Sequence, residues 1–222
     1  MSTGDRPTRT DQASNAPVAA TYATDQETFW AGEFGDDYIS RNQSDVFFHR
    51  KVAVWARMLG SAHGVGSIME FGCNIGLNLL AIHKLTPSVT LHAHEINATA
   101  AKRAAELGIA SIHRGSILEP MKGEPVDLTF TSGVLIHIAP DQLDKVYTNL
   151  VRMSRRYVLV AEYYNPTPVT VPYRGHEDRL FKRDFAGDLI DGYGLKLVDY
   201  GFVYHRDNMA PLDDSTWFLL EK

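Results

Sequence analysis

Several things are scarce in these 222 residues, and each scarcity excludes something. There is one cysteine, Cys73, so an intrachain disulfide and a cysteine-based zinc cluster are ruled out. This cysteine usage favours a cytoplasmic setting. No apolar run approaches the roughly 20 residues of a membrane-spanning helix. Arg6 and Arg9 are not followed by the apolar stretch of a signal peptide. Basic charge is also short: 22 Lys and Arg stand against 27 Asp and Glu, a formal net charge of −5. Such a chain lacks the dominant basic face that broad nucleic-acid binding needs. The dinucleotide fingerprint GxGxxG is missing, which counts against an NAD dehydrogenase. Residues 1–25 contain no Leu, Ile, Phe or Trp. That segment cannot bury enough apolar surface to offset its ordering entropy, and it reads as a disordered tail.

What is present is ordinary for a globular chain: 44% hydrophobic and 22% charged residues. Residues 26–222 suit one domain. Ser44 or Asp45 is placed to cap a helix through Gly60, with Phe48, Val52, Trp55 and Leu59 as its apolar stripe. From Ser67 onward, short apolar runs alternate with helical patterns. SIMEF, VTLHAHE, ASIHR, VDLTFTS and YVLVAEYY read as strands. Between them lie a helix from Leu77 to Lys84, an alanine-rich helix capped by Asn97, and one capped by Asp141. Asp184 caps a further short helix, and LKLVDYGFV and STWFLLEK read as the last two strands. This order predicts an α/β fold, a Rossmann-like, doubly wound, mostly parallel seven-stranded sheet with an antiparallel last strand. Ligands in such sheets bind at the carboxyl ends of the strands.

The first strand runs into Glu70-Phe71-Gly72-Cys73-Asn74-Ile75-Gly76. Gly72 and Gly76 frame a tight strand-to-helix turn, and Asn74 tolerates left-handed backbone. Such a turn either receives a ligand or merely shapes the chain. Its spacing, E-x-G-x-N-x-G, is similar to motif I of the class I S-adenosylmethionine-dependent methyltransferases. The companions stand where that family has them, over about residues 65–160. Glu95 ends the second strand, where the resemblance implies a carboxylate on the ribose hydroxyls, with Ile96 beside it. Ser116 and Ile117 follow the third strand, at a place that often carries Asp near the adenine; Ser is a weaker version. Thr131-Ser132-Gly133 ends the fourth strand, where the family lines the methionine end, and VLIHI follows. The resemblance therefore implies S-adenosyl-L-methionine as cofactor, the class I fold and methyl transfer.

Two flanks bear on the acceptor. Residues 26–62 are expected to form a helical lid, with Trp30, Phe34, Tyr38 and Arg41 at helical spacing on one face. Aromatic faces suit a sulfonium, and Arg41 suits a carboxylate; the same aromatics also suit plain core packing. Residues 162–183 are expected to be a long substrate loop, carrying Tyr163, Tyr164, Asn165, Tyr173, Arg174, His176 and Arg179. Its local balance is basic, which points to an anionic small molecule. Together the flanks resemble methylases associated with pseudaminic acid biosynthesis. That resemblance implies a biosynthetic acceptor such as an amino sugar or a nonulosonic acid-like sugar; a secondary-metabolite or amino-acid-like scaffold, or a non-catalytic cofactor-binding regulator, is the alternative. His137, after the fourth strand, is the candidate base, with Tyr163 and Tyr164 positioning the nucleophile. Packing against a backbone carbonyl is the other role open to His137. No metal is expected: His92 and His94 alternate on one strand without a ligand spacing. Neither a nucleic-acid nor a membrane partner is expected, and nothing in the sequence sets an oligomeric state.

Overall fold

Alternation of side chains along the strands explains the layering. In β1 (Ser67–Phe71), Met69 and Phe71 join one buried cluster while Ile68 joins another on the opposite face. In β4 (Val126–Ser132), Leu128 and Phe130 share one face, while Val126 joins the other because the register shifts between Val126 and Leu128. The alternation recurs in β5 (Ser154–Glu162), where Val158 and Val160 oppose Tyr157 and Leu159. A sheet that is apolar on both faces must be covered on both. In the computed structural model, which describes residues 22–39 and 45–222, it is.

With β2 (Thr90–Glu95), β3 (Ala110–Arg114), β8 (Lys196–Val203) and β9 (Ser215–Glu221), these strands form one seven-stranded sheet in the order β3-β2-β1-β4-β5-β9-β8. β1 to β5 are parallel, and β9 runs antiparallel between β5 and β8. α3 (Asp45–Met58) and α4 (Leu77–Leu85) contribute to the cluster on one face. α6 (Leu143–Arg152) and α7 (Phe185–Tyr193) contribute to the other. α5 (Ala98–Glu106) links β2 to β3 and is capped by Asn97, whose side chain accepts from Ala100 N. The strand order reverses between β1 and β4, so a crevice opens above their carboxyl ends.

Four expectations are corrected. The stretch from Trp30 to Arg41 is not one helix. It is α1 (Asp25–Ala31) and α2 (Glu33–Ile39), broken at Gly32, and Arg41 lies outside the described residues. The expected tail 1–25 lies outside the described residues up to position 21, but its end is ordered, because Thr24 and Glu27 close a reciprocal capping box on α1. Asp141 caps nothing; it sits in a 3₁₀ turn, Pro140–Gln142, ahead of α6. Most consequentially, the expected loop 162–183 holds a hairpin of β6 (Val169–Tyr173) and β7 (His176–Lys182). Its two turn residues, Arg174 and Gly175, have φ of 52° and 84°, and a two-residue loop with both φ positive matches the strand twist. Pro168 and Pro172 disguise these strands in the sequence, since proline is tolerated at edges and bulges. The hairpin register does shift between Val171 and Tyr173.

Candidate active site

The crevice is a cavity of about 470 Å³ over the carboxyl ends of the strands. One end is built on the turn after β1. Gly72 has φ 79°, and a Cβ there would come within 2.8 Å of Val134 Cγ2, so the position excludes any side chain. Asn74 also takes positive φ, at 50°. That geometry aims its N–H at Glu95, whose Oε2 accepts at 2.6 Å. Glu95 Oε1 accepts from Asn97 N at 2.8 Å. Burial raises the Glu95 carboxyl above its ordinary pKa, and these backbone donors oppose the rise. Each oxygen keeps lone-pair capacity for hydroxyl donors in the cavity. Ile96, Ser116 and Ile117 continue this wall.

The other end lies beyond β4 and β5. Ser132 and Gly133 line it, followed by a 3₁₀ turn, Leu135–His137. Glu162 fixes that turn: its carboxylate accepts from Val134 N at 3.1 Å and Ile136 N at 3.4 Å. Burial pushes Glu162 up to about 7. His137 is buried, and its Nδ1 lies 2.7 Å from the Arg179 carbonyl. A carbonyl can only accept, so Nδ1 carries the proton and Nε2 the lone pair. Burial lowers the His137 pKa to about 4, leaving the ring neutral at ordinary pH. The Trp30 ring stands 4.6 Å from it and Tyr173 5.0 Å. Tyr38, Tyr163 and Arg174 complete this end.

The cavity thus brings together Trp30, Tyr38, Gly72, Asn74, Glu95, Ile96, Ser116, Ile117, Ser132, Gly133, His137, Tyr163, Tyr173 and Arg174. Other expected site residues stand elsewhere. Glu70 is fully buried behind the wall, where Asn78 Nδ2 donates to it at 2.7 Å. Gly76 starts α4, and a Cβ there would meet Leu107 of the neighbouring α5 region at 2.9 Å, so it serves packing. Phe34 stacks on Phe29 at 4.0 Å rather than lining the cavity. Tyr164 is placed against Phe218, away from the cavity, because successive residues leaving a strand point to opposite faces. Asn165 turns onto the Thr167 carbonyl at 2.6 Å. His176 packs on Phe29 at 5.0 Å. Arg179 lies over the Phe29 ring at 5.4 Å and meets His137 only through its carbonyl. The basic hairpin therefore offers the cavity one cation, Arg174, among the described residues.

Among the polar wall residues that escaped sequence reasoning are Glu27, Lys51, Asn78 and Asp213. Glu27 is buried and accepts from the Ser116 hydroxyl. The Thr24-Asp25-Gln26-Glu27 capping box would have pointed to it. Lys51 donates to Asn78 Oδ1 at 2.7 Å, and both line the cavity. Asp213, between β8 and β9, carries no motif at all, yet it lines the cavity too. Among the described residues no group of His, Cys, Asp and Glu is arranged to hold a metal.

No family model matches the chain, and no curated protein matches its sequence. Solved structures do. Magnesium protoporphyrin IX methyltransferase from Synechocystis PCC 6803, with bound S-adenosylhomocysteine, superposes at TM-score 0.68 and 11% identity, covering 88% of this chain and 97% of that one. The N-methyltransferase NodS from Bradyrhizobium japonicum WM9 matches at TM-score 0.61 and 18% identity, over 81% and 98%. The 1,6-didemethyltoxoflavin-N1-methyltransferase of Burkholderia thailandensis matches at TM-score 0.63 and 15% identity, over 93% and 94%. The fold is that of the class I methyltransferases. Within that methyltransferase fold, the cavity occupies the strand-order reversal, and both of its ends are built from this chain's own loops.

Proposed function

We propose that the chain is an S-adenosylmethionine-dependent methyltransferase acting on an amine or hydroxyl of a small anionic metabolite. One observation carries the reading. A single continuous cavity joins the Gly72–Glu95 end, suited to a nucleoside, to the His137–Tyr163–Tyr173–Arg174 end, suited to an acceptor. The residues fit the cofactor: Gly72 lines the cavity with backbone alone, and Glu95 keeps lone pairs for ribose hydroxyls. Asn74, Ile96, Ser116 and Ile117 would hold the nucleoside, and Ser132 and Gly133 the methionine part. When bound, the cofactor supplies an electrophilic methyl group on a sulfonium. Trp30 and Tyr38, on the segment that we read as a lid, present aromatic faces suited to that cation.

The chain's own residues would do three things. The walls hold nucleophile and methyl in line, which is the principal source of rate in such a displacement. His137, neutral and with its Nε2 lone pair free to accept, orients an N–H or O–H of the acceptor. With a pKa near 4 it is a hydrogen-bond acceptor more than a strong base. Arg174 offers a cation to an anionic group. An amino sugar or a nonulosonic acid-like sugar combines these features and is the first acceptor class to screen.

Calorimetric titration with S-adenosylhomocysteine tests the reading. We expect saturable binding, weakened at least about tenfold in Glu95→Ala, since hydrogen bonds to charged groups are worth about 1.5–3 kcal/mol. Absence of binding to the parent protein, checked with S-adenosylmethionine as well, overturns it.

A further inference from the structure

The proposed function leaves the methylated atom open, and the acceptor end of the cavity bears on it. Asp213 enters from the segment between β8 and β9. The Tyr163 hydroxyl donates to its Oδ2 at 3.4 Å. Tyr38, Tyr163, Tyr173 and Asp213 all line the cavity, so three phenol rings and one carboxylate face the same space. The Arg174 guanidinium lies 5.4 Å from the Tyr173 ring centroid and feels Asp213. Among the described residues no ion pair joins Arg174 to Asp213. A carboxylate and a guanidinium are thus presented to one cavity without cancelling each other by direct contact. Ser132, Gly133 and His137 line the same end of the cavity.

We propose that Asp213, with Tyr38, Tyr163 and Tyr173, selects an amine as the group to be methylated, and that Arg174 takes an acid group of the same molecule. The acceptor class is then a small amphoteric amine, such as an amino acid or an amino-sugar acid. This rests on the methyltransferase reading. The chemistry separates amine from hydroxyl. An ammonium gains from a carboxylate and from π-faces together, whereas an uncharged hydroxyl gains little from either. Transfer needs the free lone pair. The ammonium therefore gives one proton to water at the open rim. The nitrogen pair then forms the N–C bond while the C–S bond breaks and leaves its electron pair on sulfur. The product is a methylated ammonium, again complementary to Asp213.

The test uses the full chain saturated with S-adenosylhomocysteine and titrated with tetramethylammonium chloride, against sodium chloride at equal ionic strength. Backbone amide NMR shifts are the readout. Saturable shifts around Gly133, Tyr163 and Tyr173 are expected. In Asp213→Asn the apparent Kd should rise at least about fivefold, roughly the worth of one cation–π or charge-assisted contact. Asp214→Asn, one residue away and off the cavity wall, should match the parent. Asp213→Asn should still bind S-adenosylhomocysteine, which shows that it folds. A second arm incubates the protein with S-adenosylmethionine and paired amino acids and hydroxy acids, and amino sugars and sugars, with mass-spectrometric detection of methyl addition. Products on the amino members alone are expected. Unsaturable shifts, an equal Kd in Asp213→Asn, or methylation of hydroxy members alone would overturn the amine assignment while leaving the methyltransferase reading standing. Failure of S-adenosylhomocysteine to bind the parent removes both.

Discussion

Of the buried carboxylates near the carboxyl ends of the strands, Glu70, Glu95 and Glu162 have their pKa raised by burial. Glu70 shares its proton balance with the buried Lys51, so its effect on pH behaviour is tied to a second group. Glu162 gives a cleaner reading. Its folded pKa of about 7 exceeds the ordinary glutamate value of about 4.3. The folded state thus binds the proton more tightly than the unfolded one. The stability from that proton is full below about pH 4 and is lost as pH rises through about 7. Glu162→Gln abolishes this dependence. The melting temperature of the variant, measured relative to the parent, should therefore improve between pH 5 and pH 8. A flat difference across that interval would mean that Glu162 is not held protonated. His137 has the opposite sign: lowered to about 4, it adds stability that is lost as pH falls from about 6.5 through 4. For the same reason, the rate profile of the methyl transfer proposed above should show no histidine ionisation above about pH 5.

At the scale of elements, α1 has seven residues, too few to be helical on propensity alone. Its capping box is therefore a main source of order: Thr24 Oγ1 accepts from Glu27 N at 3.1 Å, and the Glu27 carboxylate accepts from Thr24 N at 2.9 Å. Thr24→Ala should cost about 1 kcal/mol locally. Proteolysis within residues 25–39 should accelerate about fivefold, while the melting temperature of the sheet barely changes. The Glu27 carboxylate keeps the backbone N–H of residue 24 but loses the Thr24 hydroxyl, so it would hold Ser116 less firmly and S-adenosylhomocysteine should bind less tightly. At the opposite edge, Gly201 on β8 lets the Trp217 indole lie flat across it: a Cβ would fall 2.7 Å from Nε1. Trp217 is buried, so it cannot move aside freely. Gly201→Ala should cost about 1–3 kcal/mol by overpacking. That is a fall of roughly 2–12 °C for a domain of this size, readable by calorimetry.

Across the whole molecule, the N-terminal helices and the β6–β7 hairpin meet over the cavity although about 150 positions separate them in the chain. Gln26 Nε2 donates to the Asp178 carbonyl at 3.3 Å. Phe29 packs on His176 at 5.0 Å and lies under Arg179. Phe34 reaches Tyr173 at 6.3 Å. These contacts make one roof from two distant segments, and Arg179 extends it to His137 through its carbonyl. Phe29→Ala and Arg179→Ala should each weaken acceptor binding. The double variant should be non-additive by about 0.5–1 kcal/mol, the worth of an exposed cation–π pair, in a double-mutant cycle. Strict additivity would show that helix and hairpin act separately.

The sheet was legible in the sequence because its information is local. Short apolar runs, the caps at Asn97 and Asp184, and the Gly72–Gly76 turn each act within a few residues. The turn-lining residues and the strand ends Glu95 and Ser132 could be located for the same reason. A strand's carboxyl end is a fixed address once the strands are ordered. What the sequence could not decide was which side chains of the flanks reach the cavity. Glu70 and Tyr164 lie one residue from strand positions that matter, and the pleat turns them away. Arg179 and His176 were drawn off by aromatic neighbours on α1. Asp213 has no local pattern, and only the return of β9 beside β5 carries it to Tyr163. Local chemistry therefore determined the sheet and the Gly72–Gly76 turn. The acceptor end was decided by long-range packing, because its groups come from four segments that meet only when the chain is folded.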